Sequence, residues 1–355
     1  MHYDARMGDA DLYDYELPEE LIAQEPLARR DAARLLVLRR SNGAIEHRHV
    51  RDLPDLLRPG DLVVVNDTRV VAARLVGRRM STGGRWEGLF LRIDQESGGW
   101  QILAQTRGRP AAGECVMLTG HDGADLLRLR LVGRGAGGTW IAEPESSEPA
   151  EAILARVGRV PLPGYIRGGE ARAADADRYQ TVFARQGGSA AAPTAGLHFT
   201  AELLAALAQR GIGRAHVTLH VGIDTFRPIS TDRLDDHPMH TEWCECPAET
   251  AAAVAETRSR GGRVVAIGTT AVRTLETAAR SGTVSAWCGP TDLFIKPGFR
   301  FHATDCMVTN FHMPRTTLMV LVSTFASRNL IRRGYEEAIR ARYRFLSYGD
   351  AMLIE

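Results

Sequence analysis

The sequence predicts an α/β protein in two parts. A wound, mostly parallel sheet domain is built from residues 1–59 and 150–355, and a small antiparallel β-barrel is inserted at 60–149. Three observations carry this. Apolar strand-like runs alternate with helical patterns toward both ends of the chain. Between them, short alternating runs are parted by glycine-rich turns at roughly 8–12-residue spacing, the pattern of a small barrel or sandwich. The apolar fraction of 44% suffices for a packed core.

Taken in order, residues 1 to about 12 read as a loose leader, polar and without an apolar h-region, so a signal peptide is not expected. Pro18 enters a short helix ending near Ile22. Arg34 to Arg39 is a strand, Ser41-Asn42-Gly43 a hairpin turn, and Ala44 to His49 the returning strand. Asp52 to Leu57 is a turn of helix. The barrel runs are Leu62–Val65, Val70–Val76, Trp86–Ile93, Trp100–Ala104, Glu114–Leu118, Leu126–Val132 and Thr139–Ala142, with a flexible turn at 135–138. Beyond Pro149 the period returns to helices: Glu151–Val157, Ala201–Gln209, Ala248–Ser259, Thr270–Ala279, Thr317–Ala326 and Leu330–Arg342. The strands among them are Ala215–Leu219, Val264–Ile267, Leu293–Ile295 and Cys306–Val308.

The net charge of +1 excludes a general polyanion-coating protein, so a nucleic-acid partner needs a local basic patch. Candidate patches are the arginine-rich stretches 69–79 and 328–344, which also read as solvated surface. Five cysteines at irregular spacing form no disulfide framework and point to a reducing cytoplasm. No apolar run is long enough to span a membrane.

Five stretches carry possible chemistry. Ser189 to Thr200 packs small residues, Gly196 and His198 ahead of a helix that Thr200 is placed to cap. It reads either as a tight turn with a packed histidine or as a loop presenting an anion-binding helix N-terminus. Gly268-Thr269-Thr270 ends an apolar strand and opens a helix, which suits an anion or ribose contact without being a P-loop. Thr309-Asn310-Phe311-His312 and His220-Val221-Gly222 also follow apolar strands. Strand ends of a wound sheet share an edge, so His198, His220, Asn310 and His312 are expected in one crevice, and that convergence argues for an enzyme. The cluster His237, His240, Glu242, Cys244 and Cys246 reads either as a polar loop at a cleft edge or as a metal site with poor spacing. No G-x-S-x-G or dinucleotide glycine fingerprint is present. Two rival readings are a non-catalytic RNA-binding protein and a metal-dependent hydrolase using His237, His240 and Glu242.

Several blocks together resemble one family, the S-adenosylmethionine:tRNA ribosyltransferase-isomerases of queuosine synthesis. They include Asn66-Asp67-Thr68-Arg69-Val70, Val160-Pro161-Leu162-Pro163, Arg178 to Phe183, Ala192 to Thr200, His220-Val221-Gly222, Gly268-Thr269-Thr270 and Thr309 to His312. Ser347-Tyr348-Gly349-Asp350-Ala351-Met352 closes the series, and the resemblance spans nearly the whole chain. It implies transfer and isomerisation of the ribosyl moiety of S-adenosylmethionine onto 7-aminomethyl-7-deazaguanine at the tRNA wobble position. The products would be epoxyqueuosine-tRNA, adenine and methionine. S-adenosylmethionine would be a substrate, with no separate cofactor and no metal, and the protein is expected to be a cytoplasmic monomer. Within it, His198 and His312 are expected as acid and base, Asp305 as orienting His312, and His220 as catalytic or structural. Thr194, Gly196, Thr269, Thr270, Arg273, Asn310, His240 and Glu242 are expected to hold substrate. The chain departs from the family at Asp224, where glycine is usual, at Gln105 to Pro110, where a lysine-rich tract is usual, and in a longer leader before Tyr13.

Overall fold

A computed structural model describes residues 8–135, 138–222 and 228–355. Asp224, the turn residues 136 and 137, and most of the leader lie outside them. The chain forms two compact units. One comprises 1–69, 165–168 and 180–355, and the other 70–164 and 169–179.

Among the described residues the first unit holds a nine-stranded sheet. Its order is Trp287–Thr291, Glu242–Cys246, Gly213–Leu219, Leu62–Asn66, Val264–Ile267, Cys306–Asn310, Ala351–Ile354, Arg34–Leu38 and Ile45–His49. The four central strands from Gly213–Leu219 to Cys306–Asn310 run parallel. Ala351–Ile354 is antiparallel to Cys306–Asn310 and parallel to Arg34–Leu38, and three further antiparallel pairings complete the sheet. The sheet is therefore mixed, with a parallel centre, rather than mostly parallel throughout.

Alternate residues of each strand feed opposite faces. Leu36, Leu62, Val64, Val264, Ala266, Met307 and Met352 pack with the helices Thr269–Ala278, Thr317–Ala326 and Arg328–Arg340. Leu35, Val63, Val65, Val265, Ile267, Val308 and Leu353 pack on the other side with Phe199, Leu203 and Leu207. Helices on both faces explain why the central strands are apolar throughout instead of alternating.

In the second unit Arg74–Arg79, Arg85–Ile93, Trp100–Thr106, Trp140–Pro144, Asp125–Arg134 and Cys115–Thr119 form a closed six-stranded antiparallel barrel. Closure runs through Gly77 opposite Leu118, where a Cβ on Gly77 would sit 2.3 Å from the Met117 carbonyl oxygen. Trp86, Trp100, Trp140, Leu129 and Leu131 fill the interior with Ile153 and Leu154 of the helix Ala150–Val157.

Four segments differ from the sequence reading, beside the strand Glu242–Cys246, which it took for a residue cluster. Leu62–Asn66, grouped there with the barrel, is a central strand of the large sheet, because its apolar run is buried on both sides. Residues 9–13 form a 3₁₀ helix with Ala10 and Tyr13 buried, so this part of the leader is packed. Leu293–Ile295 is not a strand; the preceding Trp287–Thr291 takes the edge instead. Ala351–Ile354 is a strand between two others that the sequence reading missed.

Candidate active site

The parallel strands deliver their C-terminal ends to one edge, and there lies a cleft. Its wall is Ala192 to Ala195 on one loop, Val221 after one strand, and Gly268-Thr269-Thr270 after a second. Thr309 to Met313 ends and follows a third, and Leu346-Ser347, Tyr165, Thr316 and Leu318 complete it. Tyr165 Oη and Ser347 Oγ lie 2.7 Å apart.

Gly268 adopts φ 90°, a value that glycine takes without steric cost, and turns the chain from Val264–Ile267 straight into the helix Thr269–Ala278. The first N–H groups of that helix have no partner within it, so its N-terminus lends partial positive charge to the cleft. Thr270 Oγ1 is buried and has no hydrogen-bond partner. Across the cleft Asn310 ends its strand. Its Nδ2 lies 3.0 Å from the Leu346 carbonyl and 3.2 Å from His198 Nε2, while its Oδ1 is buried without a partner. Two orphaned polar atoms thus meet in one cleft. A buried polar group without a partner costs on the order of 1–3 kcal/mol, which a ligand supplying that partner recovers.

His312 lines the cleft beside them. Its Nε2 is 2.9 Å from Thr309 Oγ1, its N–H donates to Tyr335 Oη at 2.9 Å, and its carbonyl accepts from Tyr15 Oη. Burial pushes its imidazolium down to about 3, and that of His198 down to about 4. Both rings are therefore neutral at pH 7.

The remaining expected residues are placed differently. Asp305 stands at the opposite end of the strand that leads to His312. Its carboxylate accepts from the Val264 N–H at 2.8 Å and it does not orient His312, whose partner is Thr309. His220 Nδ1 is 2.8 Å from Thr68 Oγ1, and its ring stacks on Trp243 at 5.1 Å, off the cleft wall that its neighbour Val221 forms. Gly196 is buried where a Cβ would meet the Phe183 ring at 2.8 Å, so its smallness serves packing rather than ligand approach. Thr194 and Thr269 line the cleft. Arg273 and Glu242 form a buried ion pair and are not in the cleft lining, with Arg273 Nε also donating to the Leu293 carbonyl and Glu242 Oε1 accepting from the Gly222 N–H. His240 Nε2 is 3.8 Å from Glu242 Oε1. Thr200 does cap Ala201–Gln209, accepting from the Leu203 N–H at 3.1 Å, but the helix N-terminus that opens on the cleft is that of Thr269–Ala278.

The cluster around Glu242 does not assemble as metal ligands. Glu242 is engaged by Arg273, and His237 packs edge-on against Phe294. Burial raises the Cys244 and Cys246 thiols to about 11 and about 12, so neither is a thiolate at neutral pH. Among the described residues no three His, Cys, Asp or Glu side chains converge. The arginine-rich stretches are largely paired: Arg74, Arg78 and Arg79 bridge Glu87, Asp125 and Glu114, and Arg340 bridges Glu337.

Sequence reasoning did not single out Tyr165, Thr309, Met313 or Ser347 as cleft residues. Only the blocks containing Thr309 and Ser347 signalled them, since each sits near a strand end that other strands must bring into place.

A family model described as "Queuosine biosynthesis protein" matches residues 10–354. The S-adenosylmethionine:tRNA ribosyltransferase-isomerase of Symbiobacterium thermophilum is 50% identical over 344 residues, covering 96% of this chain and 98% of that protein. The protein of the same name from Geobacter sulfurreducens is 51% identical over 346 residues, with 96% and 98% covered. A crystal structure of S-adenosylmethionine tRNA ribosyltransferase from Thermotoga maritima is 38% identical. It covers 97% of this chain and 100% of its own, with a TM-score of 0.55.

Proposed function

The chain belongs to the queuosine biosynthesis protein family, and from that premise we infer that it is an S-adenosylmethionine:tRNA ribosyltransferase-isomerase. It moves the ribosyl moiety of S-adenosylmethionine onto 7-aminomethyl-7-deazaguanine at the tRNA wobble position and rearranges it, giving epoxyqueuosine-tRNA, adenine and methionine. S-adenosylmethionine is consumed as a substrate and no resident cofactor is required.

The observation that best supports a site for this chemistry is the meeting of Thr270 Oγ1, Asn310 Oδ1 and His312 in one cleft at the ends of parallel strands. The reaction needs a base for a carbon acidified by the neighbouring sulfonium, and donors and acceptors that hold the sugar while its ring opens and recloses. His312 lines the cleft beside Thr270 and Asn310 and is assigned that step on its position. Thr270 and Asn310 are assigned the sugar hydroxyls. The N-terminus of Thr269–Ala278 suits the carboxylate of the methionine end. All five cysteines are free, which suits a reducing compartment such as the cytoplasm, and no described helix is long and apolar enough to cross a membrane.

The test is mass spectrometry of tRNA bearing the aminomethyl-deazaguanine base after incubation with the protein and S-adenosylmethionine. A mass gain matching the epoxycyclopentane adduct, with release of adenine and methionine, is expected. No gain under conditions where an active relative gives one overturns the assignment.

A further inference from the structure

We propose that His198 acts in this reaction as a positioning residue that moves no proton: its Nε2 holds the Asn310 amide so that Oδ1 faces the cleft as a fixed acceptor for a substrate hydroxyl. The proposal rests on the activity inferred above and deepens it.

The orientation of the Asn310 amide follows from its neighbours. The Leu346 carbonyl, 3.0 Å away, can only accept, so the atom facing it is the NH₂ nitrogen. That nitrogen carries two hydrogens. The second is directed at His198 Nε2, 3.2 Å away. An amide nitrogen does not accept, so Nε2 must present its lone pair, and the His198 proton resides on Nδ1. Protonating Nε2 would set two donors against each other inside a site where His198 is 4% and Asn310 2% exposed. The low imidazolium pKa that burial imposes agrees with a ring that stays neutral.

With both hydrogens spent, the free valence of the amide is Oδ1. It is buried, lacks a protein partner, and belongs to a residue that lines the cleft. Such an atom demands a donor. A carboxylate or phosphate offers only lone pairs and would be repelled, whereas a ribose hydroxyl supplies the missing hydrogen. Thr270 Oγ1, the second orphan in the same cleft, can donate or accept and suits a neighbouring hydroxyl. His198 itself lies off the main cleft wall, in a small adjoining recess with Leu27, Arg30 and Tyr348. This places it behind Asn310 and out of direct reach of the cleft.

The experiment compares wild type, His198→Gln, His198→Ala, Asn310→Ala and the double variant His198→Ala/Asn310→Ala in the tRNA mass assay, with kinetics in S-adenosylmethionine across a neutral pH range. Glutamine places an acceptor oxygen near the position of Nε2 and cannot titrate. We expect His198→Gln to keep turnover within about tenfold of wild type with an unchanged pH profile, and His198→Ala to lose about a hundredfold in kcat/KM. The double variant should fall no further than Asn310→Ala, because both changes act through one oxygen. Loss of activity in His198→Gln equal to that in His198→Ala, loss of a limb of its pH profile, or multiplicative losses in the double variant overturns the proposal. If the Gln variant melts below the assay temperature, the single and double alanine variants decide by the additivity criterion, multiplicative losses overturning the proposal. An inactive wild type would instead defeat the inferred activity itself, so the two failures are distinguishable.

Discussion

Thr309 Oγ1 and His312 Nε2 lie 2.9 Å apart across the end of the strand Cys306–Asn310, side chain to side chain. The backbone of His312 is also held, between the hydroxyls of Tyr335 and Tyr15. His312 is thus held by three contacts from three parts of the chain, one on its imidazole and two on its backbone, which favours a catalytic group that acts without first being ordered.

Thr309→Val keeps the shape and removes the hydroxyl. It should lower kcat about tenfold, some 1.4 kcal/mol, because His312 loses its orientation. The melting temperature should fall only by the equivalent of what a buried, unpartnered Nε2 costs, about 1–3 kcal/mol, since valine fills the space of Thr309, which is 1% exposed. Steady-state kinetics beside a thermal melt checks this; an unchanged kcat would remove Thr309 from the account.

Stability should fall on mild acidification. The folded-state pKa values of His198 and His312, about 4 and about 3, lie below the unfolded value of about 6.5. Between those values the unfolded chain binds more protons, so stability rises with pH and the full contribution is present only above pH 6.5. Lowering the pH to 5 should cost on the order of 2 kcal/mol for each ring. Urea titrations at pH 7 and pH 5 measure the loss, and His198→Gln should remove its share of the slope.

Glu276 is 2% exposed, and its carboxylate accepts from the N–H groups of His302, Ala303 and Thr304 at 2.8, 3.1 and 3.0 Å. Glu276→Ala strands three donors in the segment that enters the strand Cys306–Asn310. The expected destabilisation is about 3–5 kcal/mol. Glu276→Gln should recover only part of it, since its NH₂ would oppose one of the same donors. Urea midpoints of the two variants decide this.

The Arg273–Glu242 pair is buried on both sides, at 3% and 2% side-chain exposure. Glu242→Ala leaves a guanidinium without its counter-charge and should cost about 3–5 kcal/mol. Glu242→Met/Arg273→Met, which removes both charges, should be more stable than Glu242→Ala. Equal stability of the two variants would show that charge burial is not what this pair resolves.

Much of the fold was legible in the sequence because it rests on local rules. Ala201–Gln209, Ala248–Ser259 and Thr317–Ala326 are helices with the bounds their periodicity implies, and Thr200 caps the first as expected. The strand Glu242–Cys246 was hidden because its charged and thiol residues resembled a ligand cluster. Its alternating burial appears only once Gly213–Leu219 lies beside it. Ala351–Ile354 is four residues long and owes its strand conformation to partners far away in sequence.

By itself the sequence determined the family, the α/β-plus-barrel class and the strand-end loops that build the cleft, since these depend on periodicity, turn chemistry and residue identity. The tertiary structure alone decided which of those residues act together. Asp305 and His312 are close in sequence but the extended strand between them, about 3.3 Å per residue, carries them to opposite edges of the sheet. His198 and Asn310 are 112 positions apart and share a hydrogen bond. Tautomer, amide orientation and orphaned lone pairs are set by non-local neighbours, and only the assembled sheet brings those neighbours within hydrogen-bonding distance.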